Sequence, residues 1–222
     1  MPIEGAALRA PPIPPHRALE AGLETEPDAL AIASAARRMT WRELDEGSLR
    51  LAAGYRRLGL EPGDRVASLM PNRVALVLHY LACFRAGLVA TPLNYRYTPP
   101  EVDHALDASG ASALVVHAER SDDVAASRLV PELRCGVISY GGEQGPGHRL
   151  DALLRTEPEG DMPSPDPASP AAIFYTSGST GPAKGVTHTL ETLAWMCASA
   201  AAAFELTRDD VFLPGSSMSH LG

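Results

Sequence analysis

The chain has few aromatics, few cysteines, no basic cluster and no long apolar run, and each shortage excludes something. Phe, Trp and Tyr make up 5% of its 222 residues, so the core must be mainly aliphatic. The three cysteines, Cys83, Cys135 and Cys197, are odd in number and far apart. That spacing speaks against a disulfide framework or a zinc site. Cys83 and Cys197 fall in apolar helical stretches and read as core residues. The formal charge is −8, and the basic pairs Arg37–Arg38 and Arg56–Arg57 read as solvated positions. A generic nucleic-acid surface is therefore not expected. No apolar run reaches the ~18 residues of a membrane span. The start, "MPIEGAALRAPPIPPH", lacks the charged-then-apolar pattern of a signal peptide. A reduced, cytoplasmic protein with no membrane span is the expectation. Hydrophobic residues at 45% are enough for a real core.

The first fifteen residues are Pro-rich and read as an extended arm. In "MTWRELDEGSLRLAAGYRRLGLEPGD", Thr40 and Glu43 have capping-box spacing. Leu44, Leu51, Tyr55 and Leu58 share a helical face, and Gly59 and Gly63 turn the chain. "DRVASLM" is a short β-prone run. "PNRVALVLHYLACFRAG" is apolar nearly all round and reads as a buried helix ended by Gly87. "LVATPLN" follows as a strand. "TPPEVDHALDASG" carries a second capping-box pattern, Thr98 with Glu101, and Pro99 at the first helical position. "SALVVHA" and "CGVISYG" are further strands. Strands alternating with helices from about 64 to 140 argue for an α/β fold, a mainly parallel sheet flanked by helices.

Five prolines between Pro158 and Pro170 exclude an interior helix or strand there. The expected organisation is an arm over 1–15, a first α/β subdomain over 16–155, a linker over 156–170 and the start of a second α/β subdomain over 171–222. In that last part "AAIFY" reads as a strand. A glycine-rich loop and a helix from about Thr189 follow, and "DDVFLPG" reads as another strand.

The loop "YTSGSTGPAKGV" carries the chemistry. Thr176, Ser177, Ser179 and Thr180 offer four hydroxyls, Gly178 and Gly181 give backbone freedom, and Lys184 adds a mobile charge. Hydroxyls, unhindered amides and one ammonium suit a polyphosphate. The common phosphate loop, G-x-x-x-x-G-K-(S/T), fails at two positions. Ala183 stands where glycine precedes the lysine, and Gly185 stands where Ser or Thr would hold magnesium. A plain surface turn needs fewer hydroxyls and no lysine.

The loop closely resembles the signature of the adenylate-forming enzymes, (S/T)-S-G-(S/T)-T-G-x-P-K-G-V. That superfamily includes acyl-CoA synthetases and peptide-synthetase adenylation domains. Pro182 takes the free position and Ala183 replaces the usual proline. Three flanking stretches also resemble family blocks, in order: Met39 to Asn72, Leu81 to Glu101, and Leu213 to Gly222. Asn94 in "PLNYRYTPPE" favours acyl-CoA synthetases over amino-acid-activating domains, which more often carry Asp there.

The resemblance implies the N-terminal part of the large domain of an acyl-CoA synthetase-like fold. It implies activation of a carboxylic acid, fatty or aryl, by ATP to an acyl-adenylate and then a CoA thioester. ATP, Mg2+ and coenzyme A would be the cofactors, and the small carboxylic acid and CoA the partners. Thr176, Ser177, Gly178, Ser179, Thr180, Gly181 and Lys184 would grip the β- and γ-phosphates. His220 would border the carboxylate and the pantetheine tunnel. Lys184 and His220 are thus the candidate catalytic residues, and no metal ligand is assigned. His188 receives no role, and His79, His104 and His117 read as structural. The family's adenine, magnesium and C-terminal lysine blocks come later in its order. The chain is therefore expected to be an N-terminal portion, inactive alone, with exposed apolar surface and self-association, a homo-oligomer included. The alternatives are a non-catalytic nucleotide-binding or regulatory module of the same fold, a peptide-synthetase-type domain, and a Walker-type NTPase.

Overall fold

The computed structural model describes residues 12–142, 145–160, 162, 164–176 and 181–220. A single 3₁₀ turn, Pro15–Arg17, and a short helix α1, Glu20–Thr25, open the described chain. A two-stranded antiparallel hairpin follows, β1 (Leu30–Ala33) with β2 (Arg38–Thr40). Neither α1 nor this hairpin was expected from the sequence.

Helix α2 (Trp41–Arg57) begins at the expected capping box. The Thr40 amide donates to the Glu43 carboxylate at 2.8 Å, and the Glu43 amide donates to the Thr40 hydroxyl at 3.2 Å. Leu44, Leu51 and Tyr55 are buried on its inner face. Helix α3 (Val74–Ala86) is apolar nearly all round and ends at Gly87, whose φ of 68° is the left-handed stop. Helix α4 (Pro99–Ser109) starts one residue after Thr98. The Glu101 carboxylate accepts from both the amide and the hydroxyl of Thr98, each at 2.7 Å.

Seven strands make the main sheet: β3 (Arg65–Leu69), β4 (Val89–Pro92), β5 (Ala113–His117), β6 (Val137–Tyr140), β7 (His148–Arg149), β8 (Pro170–Thr176) and β9 (Lys184–Thr189). Their order is β7-β6-β5-β3-β4-β8-β9, all parallel except the antiparallel pair β8–β9. Successive side chains of a strand face opposite sides, and here both sides are packed. Val66, Ala113 and Val115 point into the cluster with Leu51, Tyr55 and Leu78 from α2 and α3. Ala67, Leu114 and Val116 point into the cluster with Val102, Ala105 and Leu106 from α4. Short helices α5 (Ser121–Ala125) and α6 (Leu150–Leu153) complete these layers. Of the largest fully buried side chains among the described residues, only Tyr55 is aromatic. Its hydroxyl pairs with His79 Nδ1 at 2.8 Å, and His79 also bonds the Val66 backbone, so His79 is structural, as expected.

Between Leu153 and Pro170 the described chain has no helix or strand. It then re-enters the sheet as β8, beside β4, where Ala172 pairs with Ala90. Helix α7 (Leu190–Ala203) starts at the capping residue Thr189.

Two expectations need correction. "DDVFLPG" is not a strand; Val211, Phe212 and Leu213 are 97%, 72% and 88% exposed. A β-prone run becomes a strand only where a partner edge offers hydrogen bonds, and none pairs with it among the described residues. Cys197 is exposed, while Cys83 and Cys135 are buried. Only one face of α7, with Leu190, Leu193 and Ala194, is covered. Trp195 and Met196 lie on the uncovered side, and Cys197, which shares the face of Leu190 and Leu193, lies past Ala194, where the cover ends. No helix among the described residues is long and apolar enough to cross a membrane.

Candidate functional site

The strands β3, β4, β5, β6 and β8 run parallel and end on one edge of the sheet, the edge where α/β folds place their ligands. Strand β8 is buried along most of its length and emerges at Thr176, its exposed last residue. Beyond the glycine-rich loop the chain returns as β9, beginning at Lys184. The sequence reading ran from this loop directly to a helix and missed β9. Across the hairpin Thr176 pairs with Lys184 and Tyr175 with Gly185, and the Thr176 hydroxyl donates to the Lys184 carbonyl at 3.3 Å.

The fold thus brings together Thr176 and Lys184, both exposed, at the two ends of the loop. Ser177, Gly178, Ser179 and Thr180 lie outside the described residues. Gly181 is exposed, and no described atom lies within 4 Å of a Cβ built on it. A Cβ on Gly185, by contrast, would stand 2.8 Å from Ile173 Cγ2 and 3.4 Å from the Tyr175 ring. The position after the lysine is closed to the Ser or Thr of the common phosphate loop. Packing against β8 is the physical reason for that mismatch.

Lys184 is the chain's one lysine among 19 basic residues. Ten of the arginines sit in ion pairs. Lys184 has no such pair among the described residues. Composition already carried this signal: in a chain that otherwise uses only arginine, a lone lysine in a hydroxyl-rich loop stands out.

His220 lies in the last described turn, its amide donating to the Ser217 carbonyl at 3.2 Å. That turn is pinned to the β3–α3 connection. Asn72 Nδ2 donates to the Ser216 carbonyl at 2.8 Å, and Asn72 Oδ1 accepts from the Met218 amide at 2.9 Å. The Tyr80 hydroxyl donates to the Met218 carbonyl at 2.6 Å. The turn that carries His220 is therefore tied to the segment that follows β3, a strand two places from β8 in the sheet. Sequence reasoning assigned Asn72 and Tyr80 no such task, because the segment they hold is over 130 residues away. His188 packs edge-on against Phe174, ring centroids 5.9 Å apart, and Thr189 caps α7 instead.

A family model described as AMP-binding enzyme matches residues 19–222. The chain belongs to that family. A feruloyl-CoA synthase of Amycolatopsis is 37% identical over 194 residues, covering 87% of this chain and 37% of that protein. A long-chain-fatty-acid–CoA ligase of Mycobacterium tuberculosis is 33% identical, covering 80% and 35%. ATP-bound MatB from Rhodopseudomonas palustris superposes with a TM-score of 0.81 at 30% identity, over 93% of this chain and 41% of that one. The chain spans a little over a third of the length of these curated relatives. The fold class expected from the sequence, α/β with a mainly parallel sheet and acyl-CoA-ligase-like, is the one observed.

Proposed function

We propose that this chain contributes the pyrophosphate grip of an enzyme that activates a carboxylic acid with ATP and transfers the acyl group to coenzyme A. The observation that carries this is the hairpin: it holds Thr176 and Lys184 in register, both facing solvent, at the ligand-bearing edge of the sheet. The named ligases among the relatives support the reaction class.

In the proposed reaction a carboxylate oxygen attacks the α-phosphorus of ATP. The bond to the β-phosphate breaks, and pyrophosphate leaves with the electron pair. A CoA thiol then attacks the acyl carbon and expels AMP. The chain's own residues act by position and charge. Lys184 holds the β- and γ-phosphates, with Ser177, Ser179 and Thr180 as further donors, and the Thr176 hydroxyl joins them by turning from the Lys184 carbonyl, its partner without ligand. No described atom crowds Gly181, so phosphate oxygens can come close to its backbone. Charge on the leaving pyrophosphate grows as the bond breaks, so an ammonium held there stabilises departure more than binding. His220, on its turn over β3, borders the acid and the path of the thiol. The acid is fatty or aryl.

Magnesium is a different matter. Among the described residues no three His, Cys, Asp or Glu side chains cluster to hold a metal. The hydroxyl that follows the lysine in the common phosphate loop is replaced by Gly185. These residues do not fit a magnesium site of their own.

The single lysine makes the test direct. Reductive methylation with ¹³C-formaldehyde labels only Lys184 and the terminal amine, and keeps both charges. Titration with pyrophosphate is expected to shift the dimethyl-lysine resonance saturably, with weaker binding in Thr176→Val. A shift that does not saturate, or that sodium chloride reproduces at equal ionic strength, would refute the grip. Pyrophosphate exchange with added carboxylic acids is expected to be absent from these 222 residues by themselves.

A further inference from the structure

Helix α4 meets the glycine-rich loop at both of its stems. Before the loop, the Tyr175 hydroxyl donates to the Ala105 carbonyl at 2.6 Å. After it, His104 Nε2 lies 2.9 Å from the Ala183 carbonyl oxygen. A carbonyl only accepts, so the imidazole carries its proton on Nε2 and donates. Two adjacent residues of one helix therefore grip residues 175 and 183, on either side of the hairpin's mouth. Both contacts bridge long sequence separations, 70 and 79 residues.

The rest of the hairpin offers little to hold that mouth. Among the described residues strand β9 is the last of the sheet, pairing only with β8, and Lys184 to Thr187 are exposed. An edge strand bare on both faces has few packing contacts to resist fraying. Tyr175 is 3% exposed and its ring packs in the α4 cluster, so its hydroxyl fixes the outgoing stem to the core. The His104 bond fixes the plane of the peptide that joins Ala183 to Lys184, because that unit is rigid. Ala183 is also the residue that departs from the usual proline. A proline there would fix its own φ; here the contact with α4 constrains the stem instead, with the Ala183 side chain resting on the same cluster.

We infer that His104 and Tyr175 are positioning residues that hold the two stems of the loop and aim Lys184. This rests on reading the loop as a pyrophosphate grip. Neither residue touches the phosphates; each acts through the backbone or the hairpin.

The test uses the 222-residue chain with three variants. His104→Leu removes the donor at similar volume, His104→Gln keeps a donor, and Tyr175→Phe removes only the hydroxyl. Two quantities are read in each: backbone amide exchange over 181–186 by mass spectrometry, and pyrophosphate affinity from the ¹³C-methylated Lys184 signal. One lost hydrogen bond corresponds to about a three- to tenfold change. His104→Leu and Tyr175→Phe are expected to exchange faster over 181–186 and to bind pyrophosphate that much more weakly. Exchange in β3 and β5 should stay unchanged, and His104→Gln should recover most of both losses. Wild-type exchange and affinity in His104→Leu and Tyr175→Phe would overturn the inference. Faster exchange with unaltered affinity would reduce the contacts to stability alone and overturn the positioning role. If the wild-type chain binds no pyrophosphate, the grip itself fails, and amide exchange still judges whether α4 braces the stems.

Discussion

Gly185→Ser is the most informative single change, because it brings the sequence closer to the common phosphate loop while working against the structure. The serine Cβ would stand 2.8 Å from Ile173 Cγ2. Carbon atoms rest at about 3.5–4.0 Å, so the overlap is roughly 1 Å. Neither neighbour yields easily. Ile173 is β-branched and stiff at χ1, and Tyr175 is buried and tied to α4 through its hydroxyl. Overpacking of this kind costs about 1–3 kcal/mol. Replacing glycine in a strand returns about 0.5–1 kcal/mol of backbone entropy. At mid-range the clash wins, leaving a loss of about 1 kcal/mol. For a chain of this size that lowers Tm by roughly 2–4 °C, measurable by calorimetry, with circular dichroism in urea as a second reading. Gly181→Ser is the control. Its Cβ meets no described atom within 4 Å, so stability should hold within about 0.5 kcal/mol. Pyrophosphate binding should weaken in both variants, in the first through the stem and in the second at the ligand. A Gly185→Ser chain as stable as wild type, or a Gly181→Ser chain equally destabilised, would refute the reasoning.

Other outcomes follow from burial. Desolvation lowers His79 to about 4 from its usual 6.5. The folded chain thus keeps the imidazole neutral where the unfolded chain takes a proton. This contribution is fully present above about pH 6.5 and is lost as pH falls toward 4, by roughly 3 kcal/mol in all. Urea titrations at pH 7.5 and 5 should show it, and His79→Gln should flatten the slope; an equal slope in the variant would assign it elsewhere. Cys197 is exposed while Cys83 and Cys135 are buried, and burial raises the Cys83 thiol far above its ordinary value. Burial raises the Cys197 thiol as well, so a maleimide should modify Cys197 ahead of the other two, which react only on unfolding; equal rates for all three would contradict the packing of α3.

Much of this was legible in the chain. The caps of α2 and α4 and the left-handed stop at Gly87 depend on residues within four positions of one another, and local chemistry is written locally. The parallel core showed itself as short apolar runs such as "ALVVH", because β5 is packed on both faces and alternation disappears. The hydroxyls and lysine of the loop, with the stretches that flank it, gave the family.

What escaped depends on partners distant in sequence. Residues Lys184–Thr189 have no apolar period; they form β9 only because the edge of β8 offers them hydrogen bonds. "DDVFLPG" has more β-prone character and forms no strand, since no described edge meets it. Cys197 shares the helical face of Leu190, Leu193 and Ala194, yet burial along α7 stops at Ala194, so the core ends before it. His104 gave no sign of its tie to Ala183, 79 residues on. The sequence by itself determined the long helices α2, α3, α4 and α7, the buried strands β3 to β6 and β8, and which loop is rich in glycine and hydroxyls. Tertiary structure alone decided what brackets that loop, because a hydrogen bond between distant residues exists only after the chain has closed around both.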